Sequence, residues 1–490
     1  MIYELKKLGK HSLIYGLGNT VSKAIAFILI PLYTAYLTPG DYGVLQLCRL
    51  LNSVLTIVLL LGMSSSMFRV YYKVSSNEDR QLLINSTFIT FIFFSILVLV
   101  PLYIFSSTIS KAVIGYENSQ YVFNILILSI FLESFFSLQL AVLRAEERSK
   151  LYTLVNLIRI VLYTLLSILF ISYLKLNFVG SIQAGLFSFI IVIIILVPYS
   201  LKKFNFKVSF EYIKEILHIG IPLAVGGLGL WVLNLSDRYM MRFFLPENIA
   251  MIEIGLYSLG DRIASVLKFI IIMPFMLAWG ALMFQFAKES NAQALFERVF
   301  RFLNIIMGIT GLFLSIFAKE IIQLLSQSED FYTAYKVVPI LVFSKIFAGL
   351  IVVISAGVIV TKKSIFVTIA NLSAALLNIT LNYFLIIKYG MYGAAIASMI
   401  SFIYAFLLLH YFSVKYFKID WKIYKNMFFL TYLFIASVCC VYLDFSLVYK
   451  ILIFMTTIIV LPIMKMVEKN EFDRLIRIIR AGYEKMFSNS

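Results

Sequence analysis

Apolar runs of about twenty residues recur along the whole sequence and leave few folds open to it. A run of that length crosses the hydrocarbon core of a bilayer as an α-helix. Only 14% of the residues are charged, whereas soluble domains carry about 25%, so the chain requires an apolar solvent. The runs do not alternate with polar residues, which excludes the strands of a membrane β-barrel. We therefore predict an all-α polytopic membrane protein.

The spacing of these runs predicts fourteen transmembrane spans. No loop between them is long enough for a soluble domain, and the first run has no small-residue cleavage site, so a cleaved signal peptide is not expected. The predicted spans cover residues 12–37, 43–67, 82–105, 121–143, 151–173, 178–200, 219–245, 254–286, 302–324, 337–360, 364–387, 391–413, 427–443 and 447–466.

Basic residues are distributed unevenly between alternate loops. When the N-terminus is placed inside, the inside segments contain 28 Lys and Arg residues and the outside segments contain 6. The cytoplasmic loops of membrane proteins carry such an excess of Lys and Arg. Both termini are therefore predicted to be cytoplasmic, and the net charge of +17 does not require a nucleic-acid partner.

An internal repeat relates the first six spans to the next six. Because six is an even number, both halves have the same orientation in the membrane, and parallel halves of this kind form two bundles around a central cavity. Rocking of one bundle against the other would give alternating access. The matching pairs are Gly43 with Gly255, Asn156 with Asn371, Gly180 with Gly393, and Ala184 with Ala397.

The repeat also predicts the domain organisation. Two pseudo-symmetric six-helix bundles are joined by a short amphipathic linker and followed by two helices outside the repeat. The predicted domains are the N-terminal bundle (1–203), the cytoplasmic linker (204–218), the C-terminal bundle (219–414), two additional transmembrane helices (415–467) and a cytoplasmic amphipathic tail (468–490).

Eight basic residues lie within the predicted spans. A charge at the bilayer centre costs about 2.5–3.5 kcal/mol on insertion scales, so these residues are expected to line a shared, hydrated interior. Arg242 lies near a span end and can extend its guanidinium to the lipid headgroups. The other seven are predicted to bind an anionic substrate, and they are Lys23, Arg49, Arg159, Arg238, Arg262, Lys268 and Lys345.

Polar stripes mark two helices that are equivalent in the repeat. Each stripe has its polar residues at helical spacing, so they share one face. They either line the cavity or form hydrogen bonds between helices, which polar residues in membranes commonly do. The stripe of span 5 consists of Asn156, Arg159, Tyr163 and Ser167. The predicted polar lining of the cavity consists of Asn156, Asn234, Asn371, Asn378 and Asn382.

Three acidic residues, Glu133, Asp237 and Asp261, lie deep in the spans. Buried carboxylates can carry protons when their pKa values lie near the operating pH, so all three are candidates for ion coupling. Asp237 is next to Arg238, and adjacent residues on a helix do not face each other. Both side chains are expected to face the interior and to find separate partners across on span 8, where a purely structural ion pair is the alternative.

The residue types favour anion transport over catalysis. Arg binds phosphate through two parallel N–H groups and Lys binds it as a point charge. A lipid-linked sugar diphosphate offers that charge together with a polar head. The sequence has no phosphate-cradling ATPase loop, no metal-ligand spacing and no catalytic constellation. We expect no metal, no cofactor and no enzyme activity, and coupling to H+ or Na+ stays open.

The order and spacing of four motifs point to a family. "PLYTAYLTPGDYGVLQL" precedes "LSDRYMMRFFL" and "IGLYSLGDRI", and "NYFLIIKYGMYGAAIASMIS" follows. In these motifs, spread over residues 31–401, the chain resembles the Wzx-type O-antigen or capsule repeat-unit flippases, in the polysaccharide-transport family of the MATE-like (MOP) superfamily. Asp237 and Arg238 match the acidic–basic element of span 7 in that family, and Gly393 matches its Gly-Ala-Ala element.

The resemblance implies a function. Wzx-type proteins move undecaprenyl-diphosphate-linked oligosaccharides from the cytoplasmic to the outer leaflet of the bacterial cytoplasmic membrane, through a V-shaped cavity lined with basic residues. The implied partners are the lipid-linked oligosaccharide and the bilayer, and polysaccharide polymerase and chain-length machinery are further candidates. The alternative is a MATE-type ion-coupled antiporter of small organic molecules, for which a carboxylate-rich cavity would be expected.

Overall fold

The structure, a computed structural model, describes residues 27–115, 119–201, 207–464 and Met466. All regular secondary structure in these segments is helical, which confirms the all-α prediction. Ten of the described helices are long and apolar enough to cross a bilayer. The chain is a multi-pass membrane protein, and the count of fourteen spans stays a prediction.

The first half of the repeat is built from α1 to α8. Polar residues cap the start of α2, where Thr38 and Asp41 form a reciprocal capping box. A π-helical turn, Leu169–Tyr173, extends α7. The helices are α1 (Phe27–Tyr36), α2 (Pro39–Leu60), α3 (Met63–Tyr71), α4 (Asn77–Ile104), α5 (Ser106–Val113), α6 (Ser119–Ala145), α7 (Ser149–Ile168) and α8 (Asn177–Leu201).

The second half and the additional helices form α9 to α19. A π-helical turn, Lys268–Ile272, precedes α12, and a 3-10 helix, Glu329–Val337, precedes α15. α17 comprises two helices that meet at Gly390, where the φ of 56° is not helical, so it contains predicted spans 11 and 12. The helices are α9 (Phe210–Leu235), α10 (Asp237–Phe244), α11 (Glu247–Ala264), α12 (Met273–Phe286), α13 (Ala292–Ile316), α14 (Ala318–Leu325), α15 (Val338–Ile354), α16 (Ala356–Val360), α17 (Ile365–Phe417), α18 (Ile423–Tyr442) and α19 (Leu447–Ile463).

Large apolar side chains cover the outside of the helices. Phe93 is 64% exposed and Leu277 is 82% exposed. Such surfaces would promote aggregation in water, whereas in a bilayer they contact acyl chains. Inside the first half, α6, α7 and α8 pack around a core of aromatic and aliphatic side chains that includes Phe136 and Phe189.

Two compact units divide the chain. The first unit contains the first half together with α9, α10 and outer segments of the second half, where "outer" denotes the side that the basic residues predict to be outside. These outer segments are the part of α11 up to Ser258, residues Leu324–Phe331 at and after the end of α14, and the middle of α17, Ile379–Ala394. The first unit consists of the described residues of Met1–Ser258, Leu324–Phe331 and Ile379–Ala394, and the second unit of those of Leu259–Gln323, Tyr332–Asn378 and Ala395–Ser490.

The predicted linker between the halves is not a separate element where the structure describes it. Ser209 caps α9, because its Oγ accepts a hydrogen bond from the amide of Tyr212 at 3.4 Å. The helix therefore starts at Phe210, and residues 210–218 continue without a break into predicted span 7. These residues therefore form the first turns of α9 and not a separate helix.

Span 7 is interrupted at Ser236. The Ser236 hydroxyl donates to the carbonyl oxygen of Val232 at 2.6 Å, and a serine that bonds to the preceding turn bends a helix. A new helix, α10, starts at Asp237. The Asp237 carboxylate thus lies in a first helical turn, where the helix dipole favours a negative charge.

Two ion pairs attach the additional helices to α14 within the second unit. Lys319 Nζ lies 2.7 Å from Asp444 Oδ1. Its ammonium holds the pKa of Asp444 below the ordinary value through this hydrogen bond and its charge. Lys450 of α19 is 2% exposed and lies 2.7 Å from Glu320. The outer ends of α18 and α19 are therefore fixed to the second half.

Candidate functional site

A polar pocket lies within the first unit, between α2, α6, α7 and α8. Its volume is about 170 Å³, which leaves room for a small anion with several waters. Arg49 from α2, Glu133 from α6 and Arg159 from α7 all line it. We call this cavity the N-pocket. Its other polar lining residues are Asn52, Ser129, Tyr163 and Ser181.

Arg49 is held on one side by hydroxyl groups. Its Nη2 donates to Tyr33 Oη at 2.7 Å and to Tyr163 Oη at 3.0 Å. The guanidinium also lies 5.0 Å from the centre of the Tyr33 ring, in the range of a cation–π contact. Its Nη1 is buried and has no hydrogen-bond partner among the residues that the structure describes. One nitrogen is thus fixed, and the other is left for a ligand or water.

Glu133 and Arg159 complete the charges of the N-pocket. Glu133 Oε2 accepts a hydrogen bond from Asn52 Nδ2 at 2.7 Å. Asn52 Oδ1 is buried and finds no partner in the described part of the chain. Arg159 interacts electrostatically with Glu133, and its guanidinium lies 5.3 Å from the centre of the Phe189 ring. The N-pocket therefore holds two cations and one carboxylate.

This charge balance decides which ligands the N-pocket can take. Arg is always protonated in proteins, so an ionised Glu133 leaves one positive charge over. An uncompensated charge at low dielectric costs several kcal/mol. A bound anion would remove that cost and give the Arg49 Nη1 an acceptor. A cationic drug would meet a net repulsion.

A second charged cluster lies in the second unit. Lys345 Nζ on α15 lies 2.9 Å from Asp261 Oδ1 on α11. Lys268 follows Asp261 by seven residues, which places both near one helix face, and it interacts electrostatically with both partners of this ion pair. This cluster repeats the balance of the N-pocket, two cations against one carboxylate.

The adjacent pair Asp237 and Arg238 is buried in the first unit, at 1% and 5% exposure. Asp237 accepts hydrogen bonds from Tyr257 Oη and Asn382 Nδ2, both at 2.8 Å. Arg238 Nε donates to Ser258 Oγ at 3.0 Å. The two side chains thus have separate partners on α11, as the sequence predicts. They are packed into the protein in this conformation, and substrate binding by Arg238 stays a prediction.

The other predicted polar residues are dispersed. Asn378 donates to Ser398 at 3.5 Å, so it joins the two helices of α17 within the second unit. Together with the contact between Asn382 and Asp237, this is the hydrogen bonding between helices that was the alternative to cavity lining. Asn156 is buried, Asn234, Asn371 and Arg262 are half-buried, and Lys23 lies outside the described residues.

Equivalent glycines of the two halves meet within the first unit. A methyl group on Gly43 would overlap the carbonyl oxygen of Met251, and one on Gly255 would overlap that of Pro39. Met251 and Pro39 each precede their own glycine by four residues. The contact between α2 and α11 is therefore symmetric, as expected at a pseudo-twofold axis. We call it the closure contact.

Sequence reasoning missed three polar residues around Arg49, namely Tyr33, Asn52 and Ser181. Asn52 follows Arg49 by three residues on α2, and this spacing was the available signal. Tyr33 and Ser181 lie on other helices, remote in sequence from Arg49. Their proximity arises from packing alone.

A duplicated helical membrane fold with charge clusters inside both units is that of a polytopic transport protein. The sequence pattern of the family described as "Polysaccharide biosynthesis protein" matches residues 8–287, more than half of the chain. The chain belongs to this family. The pattern described as "MatE" matches residues 222–384.

A relative of known sequence also matches part of the chain. The chain is 23% identical over 268 residues to "Lsg locus putative protein 1" of Haemophilus influenzae, a match that covers 54% of this chain and 62% of that protein, less than two thirds of its length.

Two solved structures share the fold at 16% identity. "Lipid II flippase MurJ, inward closed conformation" has a TM-score of 0.67 and covers 92% of this chain and 100% of its own. An inward-facing multidrug resistance MATE family transporter of the MOP superfamily has a TM-score of 0.65 and covers 82% of this chain and 96% of its own. The MATE-like fold is thereby confirmed.

Proposed function

We propose that this protein is a flippase that moves a lipid-linked oligosaccharide with a diphosphate group to the outer leaflet by alternating access. The product would be used to build a surface polysaccharide, O-antigen or capsule, as the Wzx-type resemblance implies. Family membership supplies the link to polysaccharide biosynthesis. The observation that carries the substrate chemistry is the buried Arg49 Nη1 without a partner in the described structure, in a pocket with an excess positive charge.

The charge clusters of both units suit a substrate that carries a diphosphate. Arg49 and Arg159 would bind a phosphate oxygen in the first unit, where hydroxyls and Asn52 can bind sugar hydroxyls. Lys268 would supply a point charge in the second unit. The acyl chain of the substrate needs no protein cavity, because it can stay in the bilayer. The remaining predicted cations and asparagines are proposed to act later in the cycle.

Further parts of the proposal concern the setting of the protein. We place it in the bacterial cytoplasmic membrane with both termini in the cytoplasm, on the asymmetry of 28 to 6 basic residues. It is not an enzyme in this proposal and uses no resident cofactor. Coupling to H+ or Na+ would use Glu133, Asp237 or Asp261. Polysaccharide polymerase and chain-length machinery are proposed partners.

Reconstitution into liposomes tests the proposal. The substrate is a fluorescent undecaprenyl-diphosphate oligosaccharide in both leaflets, and a membrane-impermeant quencher reads its distribution over time. Vesicles containing the protein should exchange the lipid between leaflets faster than empty vesicles, and faster than they exchange the same glycan on a neutral lipid. Equal rates for both lipids would refute recognition of the diphosphate.

The same vesicles examine the antiporter alternative. A MATE-type antiporter would move a small organic cation against a proton or sodium gradient and would leave the lipid-linked glycan in place. We expect no gradient-driven uptake of a cationic dye, because the excess positive charge of the N-pocket repels it. Uptake of the dye without exchange of the lipid would favour the alternative.

A further inference from the structure

Related carboxylates lie beside the closure contact on the two helices that form it. The repeat aligns Gly43 with Gly255, and Asp41 and Glu253 each precede their glycine by two residues. Asp41 belongs to the first turn of α2 and Glu253 to the second turn of α11. Both lie in the first unit. The two halves thus carry an acidic residue at the same place relative to the contact.

The partners of these carboxylates are also related by the repeat. Gly180 aligns with Gly393, so Asn177 aligns with Gly390, three residues earlier in each case. Asn177 has a φ of 53° and Gly390 has a φ of 56°. Both residues therefore have a positive φ, which Gly adopts without steric cost and Asn tolerates better than most residues. Gly390, with a ψ of −133°, adopts a conformation that residues with a side chain avoid. Each lies in the turn that joins the fifth and sixth helices of its half.

In the first half an asparagine side chain bridges the carboxylate to the turn. Asp41 Oδ1 accepts a hydrogen bond from Asn177 Nδ2 at 3.0 Å. Asn177 Oδ1 in turn accepts one from the amide of Phe178, at the start of α8, at 2.7 Å. The other carboxylate oxygen of Asp41 accepts from the hydroxyl of Thr38 at 2.7 Å. The carboxylate therefore connects the start of α2 with the start of α8.

In the second half the carboxylate reaches the turn directly. Glu253 Oε2 accepts a hydrogen bond from the amide of Met391 at 2.7 Å. A methyl group on Gly390 would overlap the Glu253 carboxylate. The carboxylate of Glu253 therefore occupies the space beside residue 390 that a side chain would need, whereas in the first half Asn177 has a side chain at the equivalent position. Glu is one methylene longer than Asp, and this extra length lets its carboxylate reach the backbone amide of Met391 without a bridging side chain. Both halves thus connect a carboxylate near the start of the second helix to the turn between the fifth and sixth helices. The first half uses Asp41 with Asn177, and the second half uses Glu253 with Gly390.

We infer that Asp41 and Glu253 are positioning residues for the closure contact. Each carboxylate fixes the outer end of its helix, α2 or α11, to the turn of its own half through a charge-assisted hydrogen bond at or beside a helix start. Gly43 and Gly255, each two residues after its carboxylate, are thereby held in a fixed position relative to the other helices of their own half. The inference rests on the alternating access of the proposed function. A contact that forms and breaks in each cycle needs α2 and α11 to return to the same relative position.

A disulfide between the two helices reports the closure contact without any substrate. A Cβ on Gly40 would lie 3.9 Å from Met251 Cβ, within the usual span of about 3.5–4.5 Å for a disulfide. Gly40→Cys and Met251→Cys are introduced together into a chain in which Cys48, Cys439 and Cys440 are replaced by Ser. The rate of oxidative cross-linking in membranes then measures how often the contact is closed.

The two halves supply a matched exchange of partners. Asn177→Gly removes the bridging side chain but keeps a residue that tolerates the positive φ, and Asp41→Glu with Asn177→Gly rebuilds the connection of the second half. Asn177→Gly and Glu253→Gln are each expected to slow cross-linking about tenfold, the effect of losing roughly 1.4 kcal/mol. The exchanged pair should return to within about twofold of the parent rate. Glu329→Gln, at an exposed outer carboxylate, is the control and should change nothing.

Two outcomes would overturn the inference. One is an unchanged cross-linking rate in both Asn177→Gly and Glu253→Gln, in protein that elutes as a single species of normal yield. The other is an exchanged pair no faster than Asn177→Gly alone, since the carboxylate would then not be what restores the contact. Neither outcome touches the lipid-exchange assay, so the proposed function stands or fails separately.

Discussion

Arg49 divides its hydrogen bonds between the protein and the N-pocket. Its Nη2 is engaged by the hydroxyls of Tyr33 and Tyr163, while its Nη1 is unpartnered within the described residues. A lysine could satisfy the hydroxyls or a ligand, but its single nitrogen cannot do both from the same position. Charge alone is therefore not sufficient at this site.

Arg49→Lys is expected to slow translocation of the lipid-diphosphate glycan by about 10- to 150-fold, the loss of one charge-assisted hydrogen bond of roughly 1.5–3 kcal/mol. The measurement is the initial rate of lipid exchange in liposomes. Lys388→Arg, at a predicted outer loop, is the matched control. A variant rate within twofold of the parent protein would contradict the separate roles given to the two terminal nitrogens of Arg49.

Asp237 and Arg238 show how the sequence limits prediction at this scale. Depth in an apolar run correctly indicated that both side chains are interior and that each has a partner on the next helix. Asn382, which also donates to Asp237, is remote in sequence and could not be assigned. A local sequence pattern indicates that a buried charge needs a partner, but tertiary packing determines which residue that partner is.

Removal of Asp237 alone should destabilise the protein, because the buried donors Tyr257 and Asn382 would lose their acceptor and the buried charge of Arg238 would lose the neighbouring negative charge. Asp237→Ala is expected to cost about 3–5 kcal/mol, seen as a lower midpoint of thermal unfolding in detergent. Asp237→Ala combined with Arg238→Met should recover part of that loss, since no buried charge is then left. A double variant no more stable than Asp237→Ala would show that the two charges are not coupled.

Helices and their ends were predictable where the sequence has clear punctuation. Predicted span 4 at 121–143 corresponds to Ser119–Ala145, and the turn near 388–390 lies at Gly390. The break at Ser236 was not predicted, because neither Gly nor Pro lies at that position. The repeat alignment paired Gly43 with Gly255, but only packing brings them into contact.

Bulk at the closure contact should separate the two helices. Gly43→Ala places a methyl group against the carbonyl oxygen of Met251, and overpacking of this kind costs about 1–3 kcal/mol. Cross-linking between Gly40→Cys and Met251→Cys should therefore slow by about 5- to 150-fold. Gly255→Ala should have a similar effect because the contact is symmetric, whereas Gly280→Ala, which has open space, should have none.

At the scale of the whole molecule, the first unit contains the first half together with α9, α10 and parts of α11 and α17 of the second half. Composition and the repeat predicted the helical class and the duplicated architecture, which the MATE-like structures confirm. The charge clusters within each unit depend on which helices pack together, so only their residue types were predictable. The direction of transport and its driving force belong to this scale, because they arise from the two halves acting as one.

Energy coupling is expected to depend on the buried carboxylates. If H+ or Na+ drives translocation, dissipating the pH gradient, the sodium gradient and the membrane potential with ionophores should lower net accumulation of lipid in one leaflet to that of passive exchange. Dissipating each gradient separately identifies the ion. Net accumulation that survives loss of all three gradients would exclude coupling through Glu133, Asp237 or Asp261.

The central claim is that the cations of the N-pocket recognise the diphosphate of a lipid-linked glycan. The most direct measurement is the lipid-exchange rate of Arg49→Ala combined with Arg159→Ala, in protein that folds and inserts like the parent. The account predicts a fall of about 100-fold or more for the diphosphate lipid, since two charge-assisted contacts are lost, with Lys388→Ala unaffected. Exchange at the parental rate in the double variant would contradict it.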